Sequence, residues 1–275
     1  MEKQFKNYLN NRKQDIDTFL KGVLPNPKGR SSVLHKAMYY SVFPGGKRFR
    51  PLLTIAASES CGGNIHSAIS VAAGIEIIHC YSLVHDDLPA MDNSKFRRGR
   101  LSCFAKFGED VAILAGDALL TLGFKCVAMN KKYGTELVRE ISRFCGHQGM
   151  VEGQTVDMQV QKGMLSLDIP TLEYINTLKT GALITASAMC GAIVSGAGNK
   201  KTNCLRNFGI HLGYMFQIVD DIIDKQGYVQ VVGLSNAYKK VEKESECATK
   251  SIKNKGLKED ILLEFIQWLT DGLKQ

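Results

Sequence analysis

Apolar residues recur along most of this chain at the three- and four-residue spacing of an amphipathic helix. Residues 111–127 and 205–223 follow this period, and almost no stretch alternates as a half-buried strand does. One face of a predicted helix over residues 1–22 carries Phe5, Leu9, Ile16, Phe19 and Leu20. The pattern therefore predicts an all-helical protein.

Six prolines divide the chain without breaking it into separate units. Pro25 and Pro27 mark a loop after the first helix, and Pro170 stands where a new helix would begin. No internal repeat and no low-complexity tract occurs in the 275 residues. We expect residues 1–275 to form one all-α domain.

The most apolar stretches are residues 65–85 and 183–196. A membrane span needs about 20 unbroken apolar residues, and Glu76 and three histidines interrupt the first stretch. We therefore expect no stable membrane insertion. The eight cysteines form no C-x-x-C pair, which favours buried, reduced thiols and a cytoplasmic protein.

The 35 basic and 27 acidic residues give a net charge of +8. This surplus favours anionic partners in general. The basic residues cluster with acidic ones instead of lying in a stripe with aromatic residues, so we expect no nucleic-acid partner.

Two groups of aspartates interrupt otherwise apolar segments, at residues 82–92 and 216–224. Asp220 and Asp224 are four residues apart and share a helix face. Asp86 and Asp92 are six apart, and Pro89 between them prevents regular helix hydrogen bonding, which allows them to converge. Carboxylates in apolar surroundings need compensation, and a hard cation such as Mg²⁺ suits clustered oxygens.

Cations accompany the aspartates. The segment 45–51 contains two glycines and three cations, but it lacks the spacing of a P-loop. Arg97 and Arg98 follow Asp92 closely, and arginine binds phosphate oxygens with two parallel hydrogen bonds. Lys179 and Thr180 add polar groups within an apolar helix.

Seven motifs occur in an order that resembles the trans-isoprenyl diphosphate synthases, and within that family the bacterial farnesyl diphosphate synthases (geranyltranstransferases). They are GGKRFRP, HCYSLVHDDLPAMD, RRG, FGEDVAILAGDALL, GQTVDM, KTGAL and FQIVDDIID. The resemblance covers the chain from about residue 40 onward. It implies a single-domain helical bundle of the isoprenoid synthase type around a central active-site cavity.

The resemblance implies a metal site of two halves. Asp86 and Asp92, supported by Asp87, would bind Mg²⁺ at the allylic diphosphate, and Asp220 would hold a further ion from the opposite wall, with Asp221 and Asp224 tuning it. Three Mg²⁺ ions are expected with substrate bound, and Mn²⁺ is an alternative. The catalytic residues implied are Asp86, Asp92, Lys179 and Asp220.

The resemblance also implies two substrate subsites. The residues at the allylic diphosphate would be Arg97, Lys179, Thr180 and Gln217. The residues at isopentenyl diphosphate would be Gly46, Lys47, Arg50, His79 and Arg98. Tyr81, five residues before Asp86, would form the floor of the tunnel for the growing chain.

The implied reaction condenses isopentenyl diphosphate with dimethylallyl or geranyl diphosphate to give farnesyl diphosphate, by ionisation, condensation and elimination. A homodimer is implied as well. The alternatives are a geranylgeranyl diphosphate synthase and a catalytically silent or weakly active member of the family.

This chain departs from the family pattern after Asp224. Relatives carry a mobile segment there, whereas here Lys225–Gly227 leads directly into Tyr228. Either the segment is absent from the protein, or a loop between residues 227 and 228 is missing from these 275 residues. We favour the second interpretation, because the family pattern resumes cleanly at Tyr228. A true deletion would impair the third metal site and indicate a weak or regulatory member.

Overall fold

A computed structural model describes residues 2–26, 28 and 32–274. The described chain is almost entirely helical, which confirms the predicted all-α class. The longer helices are α1 (Glu2–Val23), α2 (Ser32–Val42), α3 (Phe49–Ser60), α4 (Ile65–Asp86), α6 (Glu109–Ala128), α7 (Gly134–Cys145), α8 (Met150–Gln161), α10 (Ala182–Ser195), α11 (Asn199–Asp224), α13 (Leu234–Ile252) and α14 (Asp260–Asp271). The shorter elements are α5 (Cys103–Phe107), α9 (Ile169–Ile175), a π-helix (Asn176–Gly181), α12 (Tyr228–Val232) and a 3₁₀ turn (Gly272–Lys274).

Helices α4 and α10 form the centre of the bundle. Both are apolar around most of their circumference, and residues 182–194 are buried without exception. Glycine allows their neighbours to approach closely: a Cβ on Gly74 of α4 would lie 2.7 Å from the carbonyl oxygen of Gly123 on α6. Likewise, a Cβ on Gly191 of α10 would lie 2.4 Å from the Thr54 carbonyl oxygen on α3. Close packing of this kind fixes α4, whose last residue is Asp86.

A two-stranded ribbon is the exception to the helical pattern. Strands β1 (Phe96–Arg97) and β2 (Arg100–Leu101) pair antiparallel. Arg98 and Gly99 between them have φ angles of 53° and 73°, the left-handed values that a tight hairpin turn requires. Sequence periodicity did not predict this ribbon, because two residues per strand are too few to show alternation.

The membrane prediction needs a correction. By length and composition alone, three helical segments are apolar enough to cross a membrane: Ile65–Asp86, Glu109–Ala128 and Ile169–Ser195. The expectation that Glu76 and the histidines exclude residues 65–85 by composition was wrong, because few charges interrupt this helix. The expectation of no stable membrane insertion stays a prediction. The apolar windows of the first and third are 72% and 78% buried within the fold, against 39% for Glu109–Ala128.

The connection after α11 is short and well defined. Lys225 and Gly227 take left-handed φ angles of 54° and 50°, and the chain continues directly into α12 at Tyr228. A Cβ on Gly227 would lie 2.6 Å from a carboxylate oxygen of Asp221, so this turn needs glycine. The structure thus describes the short connection. The missing-loop interpretation stays a prediction, which a mass other than 30.3 kDa for the intact protein would support.

Candidate active site

One cavity of about 760 Å³ collects residues from five of the predicted motifs. Helices α3, α4, α6 and α8 and the π-helix form its walls. Six of the predicted site residues line it: Arg50, His79, Tyr81, Asp86, Lys179 and Thr180. Much of the remaining lining is apolar, from Leu83, Leu88, Met91, Ile113, Met150, Val151, Met158 and Met164. The cavity therefore combines a few charged groups with a largely apolar lining.

The first aspartate segment lies where α4 ends. The helix stops at Asp86, and the backbone N–H of Asp92 donates to the Asp86 carbonyl oxygen at 2.9 Å. The turn containing Pro89 thus brings Asp92 back to Asp86, as the sequence predicted. Asp87, predicted as a supporting metal ligand, is buried instead against Arg97, whose Nη2 and Nε lie 2.6 and 3.0 Å from Oδ1.

The second aspartate segment forms the last turn of α11. Asp221 is buried: its Oδ1 accepts from Gln217 Nε2 at 2.9 Å, and its Oδ2 accepts from the Tyr228 backbone N–H at 2.8 Å. Asp220 and Asp224 lie on either side of it along this turn. In both segments the middle aspartate is therefore tied into the fold.

Lys179 and Thr180 lie in the π-helix, an element that is often found at functional sites. Lys179 Nζ is 2.5 Å from Asp157 Oδ2 on α8. The Thr180 hydroxyl donates to Gln217 Oε1 at 2.7 Å. Through Gln217 the π-helix is connected to Asp221, so hydrogen bonds link this wall of the cavity to the second aspartate segment.

The three cations of segment 45–51 point in different directions. Lys47 is exposed, and Arg50 lines the cavity, where its Nη1 lies 3.5 Å from His79 Nε2. Arg48 is buried and pairs with Glu76 at 2.7 Å and with Asp17 at 3.0 Å. The sequence alone does not show that Arg48 is buried in ion pairs, that Arg50 lines the cavity and that Lys47 faces solvent.

Gly46 brings this segment against the two-stranded ribbon, which with its turn carries Arg97, Arg98 and Arg100 and which we call the arginine ribbon. A Cβ on Gly46 would lie 3.2 Å from an Arg98 guanidinium nitrogen, so the two predicted isopentenyl diphosphate residues are adjacent. Burial, followed by the nearby Arg50 and Arg98, lowers the pKa of His79 well below its ordinary value. The imidazole is therefore neutral at physiological pH and adds no charge to the cationic group.

The carboxyl groups of Asp86 and Asp220 have raised pKa values. Burial raises the pKa of each to about 6, against the attraction of Lys179 for Asp86 and of Lys47 for Asp220. Arg50 interacts with Asp220 and lines the same cavity as Asp86. Arg50 thus connects the two segments electrostatically, although Asp220 itself does not line this cavity.

The donor set fits a divalent cation shared with a ligand. Within the described residues, no hydrogen bond or ion pair holds the side chains of Asp86, Asp92, Asp220 or Asp224. Nor do three His, Cys, Asp or Glu side chains of those residues converge on one point. Mg²⁺ is usually held by one or two carboxylates together with water and substrate phosphates. Free carboxylates without a complete protein cage suit such an ion.

Sequence reasoning missed several residues that position the site. Asp157 lies within GQTVDM, and only its contact with Lys179 shows its role. Gly153 in the same motif has no room for a side chain, because a Cβ would lie 2.2 Å from the Lys179 backbone nitrogen. His85 Nε2 is 3.1 Å from the Ile113 carbonyl oxygen, against Gly116. For Asp157 the sequence offered one signal, which was its position three residues after Gln154 on a predicted helix.

Comparisons with known proteins agree with this geometry. The chain is 43% identical over 205 residues to a farnesyl diphosphate synthase of Micrococcus luteus, covering 74% of this chain and 70% of that one. It is 43% identical over 198 residues to a chloroplastic geranylgeranyl pyrophosphate synthase of Capsicum annuum, covering 70% of this chain and 53% of that one.

The fold agrees as well. The crystal structure of an FPP/GFPP synthase from Zymomonas mobilis superposes with a TM-score of 0.91 at 31% identity, covering 98% of this chain and 99% of that one. The sequence profile named polyprenyl synthetase matches residues 31–261. The chain therefore belongs to the polyprenyl synthetase family.

Proposed function

We propose that this protein condenses isopentenyl diphosphate with dimethylallyl or geranyl diphosphate to give farnesyl diphosphate and free diphosphate. One observation carries the proposal: the unpaired carboxylate of Asp86 lines a largely apolar cavity together with the cations Arg50 and Lys179, and the charge of Arg50 also acts on the unpaired carboxylate of Asp220. Two anionic substrates with apolar tails need this combination.

Asp86 and Asp92 on one side, and Asp220 with Asp224 on the other, would hold Mg²⁺, three ions in the full complex, with Mn²⁺ as a substitute. The bound cations stabilise the negative charge that develops on a departing diphosphate. Lys179 and Thr180 bind and orient the allylic diphosphate. Arg97 is assigned to the same subsite by the resemblance, and its guanidinium is bonded to Asp87.

The isopentenyl diphosphate would bind at Lys47, Arg50 and Arg98, with Gly46 allowing close approach and neutral His79 beside Arg50. Apolar side chains around the cavity exclude water, which would otherwise trap the allylic cation before the double bond reaches it. Holding both substrates in one cavity replaces a bimolecular encounter with a positioned one.

Product length depends on Tyr81 in this proposal. The residue is buried, lines the cavity, and meets the His85 ring edge-on with centroids 5.8 Å apart. A rigid aromatic floor favours a 15-carbon product. The rival activity, geranylgeranyl diphosphate synthesis, needs a deeper cavity, and the similar protein of Capsicum annuum is a geranylgeranyl pyrophosphate synthase.

Product analysis with labelled isopentenyl diphosphate, Mg²⁺ and each allylic substrate tests the function. Farnesyl diphosphate as the main product supports the proposal, and geranylgeranyl diphosphate supports the rival. Tyr81→Ala should lengthen the product, whereas Tyr133→Ala, outside the cavity lining, should not. Absence of turnover with both substrates present would favour a silent or regulatory member.

We also propose a cytoplasmic homodimer. Helix α6 leaves Leu114 57% exposed, outside the catalytic cavity, as an apolar side chain that a second copy would cover. The eight cysteines are free thiols, all within the described residues, and would stay reduced in the cytoplasm. A monomeric mass by sedimentation at micromolar concentration would contradict the dimer.

A further inference from the structure

Helix α2 presents an apolar and basic stripe that the proposed reaction does not use. Val33, Lys36 and Tyr39 lie three residues apart and so share one helix face. Val33 is 49% and Tyr39 is 39% exposed, and Lys36 is exposed between them. Large apolar side chains in a row on a solvent-facing helix indicate a surface that meets something else.

The arginine ribbon extends this surface. Phe96 and Leu101 face each other across the two strands, and they are 66% and 42% exposed. The Tyr40 hydroxyl donates to the Leu101 carbonyl oxygen at 2.8 Å, which joins the ribbon to α2. We call the whole surface the α2–ribbon face, which comprises Val33, Lys36, Tyr39, Tyr40, Phe43, Phe96, Arg100, Leu101, Lys106 and Phe107.

A groove of about 390 Å³ runs through the α2–ribbon face. Its lining is four aromatic side chains and two lysines, with no acidic residue: Lys36, Tyr39, Tyr40, Phe43, Lys106 and Phe107. The groove is separate from the catalytic cavity, since none of these residues lines that cavity. Aromatic rings beside lysines are typical of protein surfaces that lie at the boundary between water and lipid.

The cations of this face lack partners of opposite charge. The Arg100 guanidinium carbon lies 3.8 Å from the Tyr40 ring centroid, and Lys106 Nζ lies 3.9 Å from it. Among the described residues, neither these two side chains nor Lys36 forms an ion pair. Two positive charges against one ring repel each other, and an anion at the groove would relieve that repulsion.

We propose that the α2–ribbon face binds the surface of an anionic phospholipid bilayer. Lys36, Arg100 and Lys106 attract the headgroups, and Tyr39, Phe96 and Leu101 enter the interfacial layer. Each basic residue near an anionic membrane strengthens binding about five-fold. Binding is peripheral and leaves the fold intact, because the side chains that enter the interfacial layer are already exposed.

This inference stands on the surface and does not rest on the proposed reaction. The two fit together, however, since an amphiphile with a long apolar tail released beside a bilayer partitions into it. Glu109 and Asp110, which begin α6 next to Phe107, are the nearby acids that limit the attraction.

Vesicle co-sedimentation tests the proposal with the full-length protein. Wild type should bind vesicles of phosphatidylglycerol and phosphatidylcholine, and not vesicles of phosphatidylcholine alone. Lys36→Glu with Lys106→Glu should weaken that binding at least about 30-fold. The matched control is Lys253→Glu with Lys255→Glu, two exposed lysines after α13, which changes the net charge equally and should bind nearly as wild type does.

A second pair of measurements separates lipid binding from other causes. Tyr39→Ser should weaken vesicle binding several-fold at high salt, where aromatic contacts dominate. Prenyltransferase turnover in detergent-free buffer and the circular dichroism spectrum should stay unchanged in all these variants, which shows that they fold. Equal loss in the two lysine double variants, or no binding by wild type, would overturn the proposal. A change of oligomeric state in Lys36→Glu/Lys106→Glu would also overturn it, by assigning this face to a second copy of the chain.

Discussion

The ends of α4 and α11 carry the same motif of aspartates and use it in different ways. In each, the middle aspartate is fixed while its neighbours remain free. At α4 the anchor of Asp87 is a charged guanidinium from Arg97. At α11 the anchors of Asp221 are neutral donors, the Gln217 amide and the Tyr228 backbone. The α4 end therefore depends on a single charge from another element, and the α11 end on two weaker local bonds.

Removal of the free carboxylates should have the largest effect on activity. Asp86→Asn and Asp220→Asn should each lower kcat about 10³-fold, because each deletes a ligand for the cation that stabilises the leaving group. Steady-state assays at saturating Mg²⁺ measure the loss. Asp260→Asn, on the exposed start of α14, is the control and should retain full activity. A normal rate in Asp86→Asn or in Asp220→Asn would show that the helix end carrying that aspartate takes no part in the reaction.

The difference between the anchors predicts unequal stability effects. Arg97→Gln leaves Asp87 buried without its cation and should cost about 2 kcal/mol, a value reduced by the partial exposure of Arg97. Gln217→Leu should cost about 1 kcal/mol, since the Tyr228 N–H still donates to Asp221. Urea unfolding of both variants gives the comparison. Asp87→Asn should restore stability in the Arg97→Gln background, and equal costs for the two single variants would contradict the distinction.

Glycine supports each helix end, and alanine should disturb both. At Gly116 a Cβ would lie 2.0 Å from His85 Nε2, so the ring next to Asp86 must move. At Gly227 a Cβ would press on Asp221, and the positive φ adds strain. We expect a loss of about 1 to 2 kcal/mol for each. Thermal unfolding measures it, with Gly198→Ala, which meets nothing, as the control.

The smallest effect is a pH dependence in the metal-free protein. With the pKa of Asp86 and Asp220 at about 6, above the unfolded value of about 3.9, the folded state binds more protons than the unfolded state between these pH values. Stability therefore falls as pH rises through this window. In EDTA, Asp86→Asn should raise stability by about 1 kcal/mol at pH 7 and by nothing at pH 4. A gain that is equal at both pH values would refute the assignment.

Periodicity and proline positions predicted the helices because burial of one face dictates a spacing of three to four residues. Helix α11 is an example, predicted over 205–223 and observed over Asn199–Asp224. The pairing of Asp86 with Asp92 was also predictable, because Pro89 forces the turn. The resemblance supplied the remaining site residues.

Other features depend on contacts between distant residues and leave no local pattern. Arg48 stands between Lys47 and Phe49 and carries the same charge as Lys47 and Arg50, but only folding brings Glu76 and Asp17 to within 2.7 and 3.0 Å of its guanidinium. The anchoring of Asp87 and Asp221, as opposed to their neighbours, likewise follows from which elements pack nearby.

The inward guanidinium of Arg48 has a consequence for how the glycine-rich segment meets its ligand. The arginine joins that segment to α1 and α4 and also donates to the Val42 carbonyl oxygen at 2.9 Å. A loop held in this way has few alternative conformations. The entropy of ordering it is therefore lost during folding and not when an anion binds. The backbone that carries Lys47 and Arg50 is therefore already fixed before the anion binds. The arrangement of these two cations, and so the selectivity of their site, is set in the free protein.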